Sequence, residues 1–226
     1  MKKTYLITLF LLILAINLAG IVLKNESLQY YSKPFLMIIL GTYFILQTKA
    51  SPTRLKIWIL AALFFSWAGD VLLIFQENRS LFFLLGLSAF LLAHVFYIVF
   101  FHNIRLDEEI KSNPWLLLIV VIYYAILMSL LSPFLGTMKL QVRIYGIVIS
   151  FMLLLAMHML FIKNRTAGKW MFFGAFLFVI SDSVLAINKF YQSFEGAGII
   201  IMLTYGLAQL FIIEGAIRYI TSRYKE

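Results

Sequence analysis

Two aspartates lie inside segments that otherwise have the composition of membrane helices. Asp70 falls within "FFSWAGDVLLIF", residues 64–75, and Asp182 within "FLFVISDSVLAI", residues 176–187. Because a carboxylate is costly to place in hydrocarbon, such residues usually face the interior of a helix bundle and mark ion or substrate chemistry. The alternative is that each aspartate hydrogen-bonds a neighbouring helix and does no chemistry.

The two aspartates are predicted to lie at matching depth. At a rise of about 1.5 Å per residue, Asp70 lies roughly 20 Å and Asp182 roughly 18 Å from the cytoplasmic edge of its segment. In a hydrocarbon core about 30 Å thick, both lie just beyond the midplane. Two carboxylates that shared one poorly solvated cavity would not both ionise, so one could act as a general acid while the other stayed an anion. We predict that this pair is catalytic.

Further polar side chains are predicted to face the same interior and to bind substrate. Ser66 precedes Asp70 by four residues, so the two share a helix face. His94 and Tyr97, three residues apart, share a face of the fourth segment. His94 could orient a substrate or relay a proton, or it could only hydrogen-bond a neighbouring helix.

Lys33 and Pro34 are predicted to open the second segment on the outer side, since proline suits the start of a helix. Lys33 would then be a cation at the same membrane face as the aspartates. It could anchor the helix to lipid headgroups, or it could contact a substrate phosphate. Tyr205 and Gln209, four residues apart in the last segment, could line a polar cavity.

The sequence favours acid–base chemistry without a metal or cofactor. It holds no cysteine, and its three histidines form neither an H-x-x-x-H nor an H-E-x-x-H motif. It also lacks the G-x-S-x-G elbow of a serine hydrolase. We therefore expect no metal, no cofactor and no covalent nucleophile.

The elements that must position these residues are predicted to be transmembrane helices. Of the 226 residues, 63% are hydrophobic and only 13% are charged, which is typical of an integral membrane protein. The first apolar run is too long for a signal peptide and is expected to be retained as a helix. We predict an all-α fold with eight transmembrane helices in a single domain, residues 1–226. The predicted spans are 4–23, 34–48, 57–75, 81–101, 115–133, 140–162, 170–187 and 197–218.

The basic residues predict the orientation. With the N-terminus in the cytoplasm, thirteen of the 19 Lys and Arg residues fall on the cytoplasmic side and six on the other. This bias favours both termini in the cytoplasm, and we expect the cytoplasmic membrane of a bacterium. The net charge of +9 therefore indicates membrane topology and not nucleic-acid binding.

A weak internal repeat is visible between the two halves. "GDVLLIF" in the third segment resembles "SDSVLAI" in the seventh, and "LLAHVF" in the fourth resembles "GLAQLF" in the eighth. Four helices separate the paired elements, so the halves would run parallel, as a 4+4 pseudo-repeat about an axis along the membrane normal. Runs of Leu and Phe can also produce such similarity by chance.

Several of these segments, taken in order, resemble the YhhN family of membrane lysoplasmalogenases. The matching pieces are "SKPFLM", "WAGDVLL", "FLLAHVFY" and "GAFLFVISDSVLA". On this resemblance the family's aspartates correspond to Asp70 and Asp182, its histidine to His94, and its Lys-Pro to Lys33 and Pro34. The resemblance implies hydrolysis of the vinyl ether bond of a lysoplasmalogen, a single-chain ether phospholipid. The products would be a fatty aldehyde and glycerophosphoethanolamine or glycerophosphocholine.

This chemistry suits two carboxyl groups. A vinyl ether hydrolyses when its β-carbon is protonated, and the resulting oxocarbenium ion adds water and collapses to aldehyde and alcohol. Asp182 is expected to supply the proton, and Asp70 to stabilise the cation and activate the water, as paired carboxylates do in glycosidases. The sequence leaves two alternatives: a proton-coupled transporter of a small solute or lipid, and a different membrane lipid hydrolase.

Overall fold

A computed structural model of the chain describes residues 3–75 and 80–223, which form helices without any strand. The α-helices are α1 (Lys3–Val22), α2 (Glu26–Thr48), α3 (Leu55–Ile74), α4 (Ser80–Asp107), α5 (Pro114–Leu131), α6 (Lys139–His158), α7 (Arg165–Ala186) and α8 (Ala197–Ser222). Short 3₁₀ turns join α5 to α6, and a π-helical segment, Ile187–Tyr191, follows α7. Three basic residues used to predict the orientation, Lys2, Arg79 and Lys225, lie outside the described residues.

Seven helices in the described part of the chain are long and apolar enough to cross a membrane. The all-helical prediction is thereby confirmed, and the chain is a multi-pass membrane protein. Helix α2 is not among the seven, because polar residues such as Glu26, Gln29 and Lys33 in its first turns lower its mean hydropathy. An eighth span through α2, the single domain and the cytoplasmic termini stay predictions.

Helix α2 begins earlier than predicted. Lys33 and Pro34 were expected to open it, and this is wrong, because the helix starts at Glu26 and carries Pro34 in its interior. The start is fixed by Asn25, whose side chain accepts a hydrogen bond of 3.2 Å from the backbone N–H of Leu28. Pro34 cannot donate to the carbonyl of Tyr30, so packing must offset the loss of one helical hydrogen bond.

The packing of α2 against α1 supplies that compensation and sets the rotation of α2. Asn17 donates to the hydroxyl of Ser32 at 2.8 Å, and Gln29 donates to the carbonyl of Gly20 at 3.2 Å. A Cβ on Gly20 would lie only 2.9 Å from Cβ of Leu28, so the glycine permits the close approach. With Ser32 turned toward α1, the next residue, Lys33, is rotated about 100° away from it.

Two other helices extend well beyond their predicted spans, 81–101 and 170–187. Helix α4 continues to Asp107, and α7 already starts at Arg165. Arg105 stabilises the end of α4, where its Nε donates to the carbonyl of Ile110 at 3.0 Å. Asn164 caps α7 by accepting from the N–H of Ala167 at 3.1 Å. Polar groups at these helix ends therefore accompany the extension of both helices beyond their apolar segments.

The chain divides into two compact units. The first unit consists of Met1–Tyr97 and Ala216–Glu226, and so contains α1 to α3, most of α4 and the end of α8. The second unit is Ile98–Gly215 and contains α5, α6, α7 and most of α8. The 4+4 pseudo-repeat stays a prediction.

Glycines bring the helices of the second unit into backbone contact. A Cβ on Gly174 would lie 2.7 Å from the backbone nitrogen of Ile212, and one on Gly215 would lie 2.8 Å from that of Met171. A Cβ on Gly168 would lie 1.9 Å from the carbonyl oxygen of Met159. Small residues of this kind allow membrane helices to pack closely, because van der Waals contact drives their association.

These contacts predict a stability difference between two glycine variants. Gly168→Ala should destabilise the protein by about 1–3 kcal/mol, because a backbone carbonyl cannot move aside as a side chain can. Gly41→Ala is the matched control, since Gly41 is also helical but has nothing within 4 Å of the added Cβ. It should be neutral or raise stability by about 0.5–1 kcal/mol. Thermal unfolding of both variants in detergent measures the difference, and equal Tm values would contradict the packing described.

Candidate active site

In the first unit, the carboxylate of Asp70 forms an ion pair with Lys33. The Nζ atom of Lys33 lies 3.5 Å from Oδ1 of Asp70, and the two side chains are 22% and 1% exposed. A buried carboxylate needs a partner of opposite charge to offset its desolvation. Helix α3 supplies the anion and α2 supplies the cation. The contact between Ser32 and α1 turns the next residue, Lys33, away from α1.

Helices α3 and α4 run antiparallel in close contact beside Asp70. A Cβ on Gly69 would lie 2.7 Å from the ring of Phe90, and one on Gly86 would lie 2.7 Å from Leu73. Further along, the rings of Phe65 and Phe96 stack with centroids 5.4 Å apart. In each of these contacts the residue numbers of the two partners add up to about 160. Residues of α3 and α4 whose numbers have this sum therefore lie at the same level along the two antiparallel helices. Asp70 lies level with residue 90 of α4.

This register places the other predicted residues of the first unit. His94 lies level with Ser66, and both are about one helical turn, roughly 6 Å along the axis, from the level of Asp70. Ser66, His94 and Tyr97 are all fully buried. The structure therefore brings Lys33 and Asp70 into contact and buries the remaining three side chains in the same unit.

In the second unit, Asp182 accepts a hydrogen bond from a tyrosine. The hydroxyl of Tyr145, on α6, donates to Oδ2 of Asp182, on α7, at 2.5 Å. Tyr145 is buried, whereas Asp182 is half-buried. The neighbour of Tyr145 is Gly146, where an added Cβ would lie 3.0 Å from the ring of Tyr124 on α5. Close packing of α5 on α6 thus positions the helix that carries the donor.

A second tyrosine lies beside this pair. The hydroxyl of Tyr123, on α5, lies 2.8 Å from that of Ser183. Ser183 donates its single hydroxyl proton to the carbonyl of Val179 at 2.6 Å, so it accepts from Tyr123. Helices α5, α6 and α7 are therefore joined by two phenol hydroxyls at Asp182 and Ser183. We call Tyr123, Tyr145, Asp182 and Ser183 the tyrosine–aspartate cluster.

An apolar cluster closes one end of the tyrosine–aspartate cluster. Its buried members come from the end of α5, the turn that follows it and the start of α6. They are Met128, Leu131, Leu135 and Val142. Val142 lies three residues before Tyr145, and Ala186, four residues after Asp182, packs against the same group. Both polar residues therefore border side chains that exclude water on this side.

Tyr205 and Gln209 lie further along the packing of α7 against α8. Ser181 donates to the carbonyl of Ile201 at 3.0 Å, which places Asp182 level with that residue of α8. The ring of Tyr205 contacts Phe178 edge-on at 5.4 Å, about one turn away. Gln209 is fully buried about two turns, or roughly 12 Å, from the level of Asp182. It is therefore further from its aspartate than His94 is from Asp70.

His158 has a structural environment. Its Nδ1 lies 2.7 Å from the carbonyl of Leu154, and its Nε2 accepts from the N–H of Asn113 at 3.3 Å. Both contacts are satisfied together when the neutral ring carries its proton on Nδ1. Among residues 3–75 and 80–223, no three His, Cys, Asp or Glu side chains lie close enough together to hold a metal ion.

Sequence reasoning missed Tyr123, Tyr145 and Ser183. Their positions in the sequence could have indicated them. Tyrosine in membrane helices is enriched at the interfaces, so a tyrosine deep within a helix is unusual. Tyr123 lies nine residues into α5, about 14 Å along its axis, and Tyr145 lies about 9 Å into α6. Tyrosines at such depth need hydrogen-bond partners, and their partners flank the predicted aspartate.

The comparison with protein-family models gives a match to the YhhN family over residues 28–216. All eight residues predicted for the site fall within the matched segment. The chain belongs to the YhhN family. The resemblance drawn from the four sequence pieces is therefore confirmed.

Curated proteins similar to this chain include mammalian lysoplasmalogenases. Lysoplasmalogenase TMEM86B of Rattus norvegicus is 34% identical over 166 residues, which cover 71% of this chain and 62% of the rat protein. The human protein of the same name is 34% identical over 70% of this chain and 62% of its own length. Human lysoplasmalogenase TMEM86A is 31% identical over 74% of this chain and 68% of its own. The matched part of this chain thus spans less than two thirds of the rat and human TMEM86B proteins. No solved structure matches.

The ion pair of the first unit predicts coupling between Lys33 and Asp70. Lys33→Met leaves a buried carboxylate without its cation and should destabilise the protein by about 2–3 kcal/mol. This loss is smaller than the roughly 3–5 kcal/mol for a fully buried pair, because Lys33 is partly exposed. The double variant Lys33→Met/Asp70→Asn should recover most of this loss. Thermal unfolding of the wild type, the two single variants and the double variant gives the coupling energy. Additive effects of the two substitutions would show that the pair contributes nothing.

Proposed function

We propose that this protein hydrolyses the vinyl ether bond of lysoplasmalogens and releases a fatty aldehyde and a glycerophosphoryl headgroup. Family membership and the similarity to lysoplasmalogenases over about 70% of the chain support the reaction. The observation that carries the mechanism is the contrast between the two aspartates. One is paired with an ammonium group, and the other accepts from a phenol.

We assign to Asp70 the role of the anion. The ammonium of Lys33, 3.5 Å away, favours the charged carboxylate even though the side chain is buried. A permanent anion can stabilise the oxocarbenium ion as it forms and can accept a proton from the water that attacks it. This assignment gives Lys33 a positioning role through Asp70, in addition to the roles of headgroup anchor or phosphate contact.

We assign to Asp182 the role of the general acid. With its proton on Oδ1, the acid can protonate the β-carbon of the vinyl ether, and the C=C electron pair forms the new C–H bond. The remaining carboxylate keeps the hydrogen bond that Tyr145 donates to Oδ2, so the tyrosine stabilises the product of the proton transfer. Water then adds to the α-carbon, and the hemiacetal releases aldehyde and alcohol. No metal or cofactor takes part in this sequence.

The membrane setting suits such a substrate. Seven apolar helices place the protein in a bilayer, where a lysolipid can partition with its single chain among Leu- and Phe-rich surfaces. We further propose that both termini face the cytoplasm of a bacterium, because that orientation puts most of the Lys and Arg residues on the cytoplasmic side.

The mechanism predicts that both carboxyl groups are required. Asp70→Asn and Asp182→Asn should each lower kcat for a lysoplasmalogen by a factor of about 10²–10⁴, the usual contribution of a positioned acid or base. Asp107→Asn is the matched control, an aspartate at the end of α4, and should retain activity. Aldehyde release from purified protein in detergent is the measurement. Wild-type protein that released no aldehyde from any vinyl ether lipid would favour the transporter alternative.

The role of Tyr145 predicts a smaller effect at the same step. Tyr145→Phe removes the donor to Asp182 and should lower kcat by about ten- to a hundredfold while leaving KM nearly unchanged. Tyr123→Phe is the control, because its hydroxyl contacts Ser183 and not the carboxyl group. A Tyr145→Phe enzyme with wild-type kcat, or one impaired only in KM, would remove Tyr145 from the proton transfer.

A further inference from the structure

A cavity of about 430 Å³ lies between the first turns of α2 and the last turn of α3, within the first unit. Its volume is in the range of about 300–1,000 Å³ that small-ligand sites occupy. Its lining combines one carboxylate with aromatic rings and includes Glu26, Tyr30, Tyr31, Pro34, Val71 and Phe75. We infer that this cavity binds the ammonium group of the substrate's ethanolamine or choline headgroup, an inference that rests on the proposed function.

The charge of the lining favours a cation. Glu26 is exposed and contributes a carboxylate, and the cavity also borders Ile74, the last residue of α3. The carbonyl groups at the C-terminal end of a helix carry a partial negative charge. Tyr30 is held against this end, where its hydroxyl lies 3.4 Å from the carbonyl of Ile74. The lining thus includes both a carboxylate and the last residue of a helix.

The aromatic rings supply the second kind of contact with a cation. Tyr30 and Phe75 meet edge-on with ring centroids 6.2 Å apart, and Phe75 also packs against Phe82 at 5.9 Å. Tyr31 adds a third ring to the cavity wall and is highly exposed. Faces of aromatic rings bind ammonium groups, and quaternary ammonium in particular, through cation–π attraction. Tyr30, Tyr31 and Phe75 are all exposed, so an ammonium group that entered the cavity could reach them.

The position of the cavity relative to the Lys33–Asp70 pair fits a zwitterionic headgroup. Pro34 and Val71, which line the cavity, are the chain neighbours of Lys33 and Asp70. Glu26 and Lys33 are seven residues apart and lie on one face of α2, about 10 Å apart along its axis. Along α2, the carboxylate of Glu26 comes first, and the ammonium group of Lys33, which pairs with Asp70, comes second. The ammonium of a phospholipid headgroup is its terminal group, with the phosphate between it and the glycerol, so the two charges follow the same order.

The test compares substrates with and without the ammonium group. Purified full-length protein is assayed with lysoplasmalogens that share one alkenyl chain and carry ethanolamine, choline or phosphate alone. Glu26→Gln should raise KM for the two zwitterionic substrates about three- to fivefold, leave kcat unchanged and leave KM for the phosphate substrate unchanged or lower. Tyr30→Leu should act in the same selective way, whereas Tyr30→Phe, which keeps the ring, should retain the preference. Glu195→Gln, an exposed carboxylate before α8, is the matched control.

A binding measurement separates this inference from the proposed function. Lysophosphatidylcholine and lysophosphatidic acid with one acyl chain contain no vinyl ether, so their stabilisation of the protein against thermal unfolding does not depend on hydrolysis. Stronger stabilisation by the choline lipid, lost in Glu26→Gln, supports the subsite even if no aldehyde is ever released. Hydrolysis of all three lysoplasmalogens with KM values that Glu26→Gln changes equally, or not at all, overturns the subsite and leaves the hydrolase function standing. A role of Glu26 limited to stabilising the start of α2 predicts that same headgroup-independent result.

Discussion

The ion pair between Lys33 and Asp70 is the constraint on which the first unit depends. A carboxylate that is 1% exposed in a membrane helix must be neutralised or paired, and here a lysine at 3.5 Å provides the partner. The lysine lies within α2 because the helix starts at Glu26, and it reaches Asp70 because α2 is held at one rotation. The hydrogen bond from Asn17 to Ser32 fixes that rotation. The cap at Asn25 and the contact with α1 thus place the cation beside the charge on α3.

The second aspartate is stabilised in a different way, and this difference has chemical meaning. Asp182 is joined to α6 through the hydroxyl of Tyr145, and its neighbour Ser183 is joined to α5 through Tyr123. A phenol can donate to one oxygen of the protonated acid and donates more strongly to the carboxylate left after the proton transfer. An ammonium group favours the anion alone. This contrast between the two environments is the basis for the proposed division of acid and anion roles.

The sequence was sufficient to predict the helices but not their contacts. Long apolar segments predict membrane helices because bilayer thickness demands them, and seven of the eight predicted helices meet that criterion. The start of α2 was mispredicted because the apolar run begins after Pro34, whereas the cap at Asn25 sets the true start. The two aspartates could be identified as site candidates because a carboxylate is costly in hydrocarbon and therefore rare in an apolar segment.

Their partners could not be predicted, because Lys33 is 37 positions from Asp70 and Tyr145 is 37 positions from Asp182. Which side chains meet depends on helix rotation. In membranes, rotation follows from close packing at small residues such as Gly69 and Gly174, which hydropathy does not encode.

The low hydropathy of α2 is linked to the need to pair the buried carboxylate of Asp70. Helix α2 carries Glu26, Gln29, Ser32 and Lys33 in its first turns. Two of them bond to α1, one pairs with Asp70, and the fourth faces a cavity walled by aromatic rings. Each polar residue therefore has a partner or a ligand-accessible position, and together they lower the hydropathy of α2. The one of the eight described α-helices that is not apolar enough to count as a span is therefore the one that supplies the cation for the buried carboxylate.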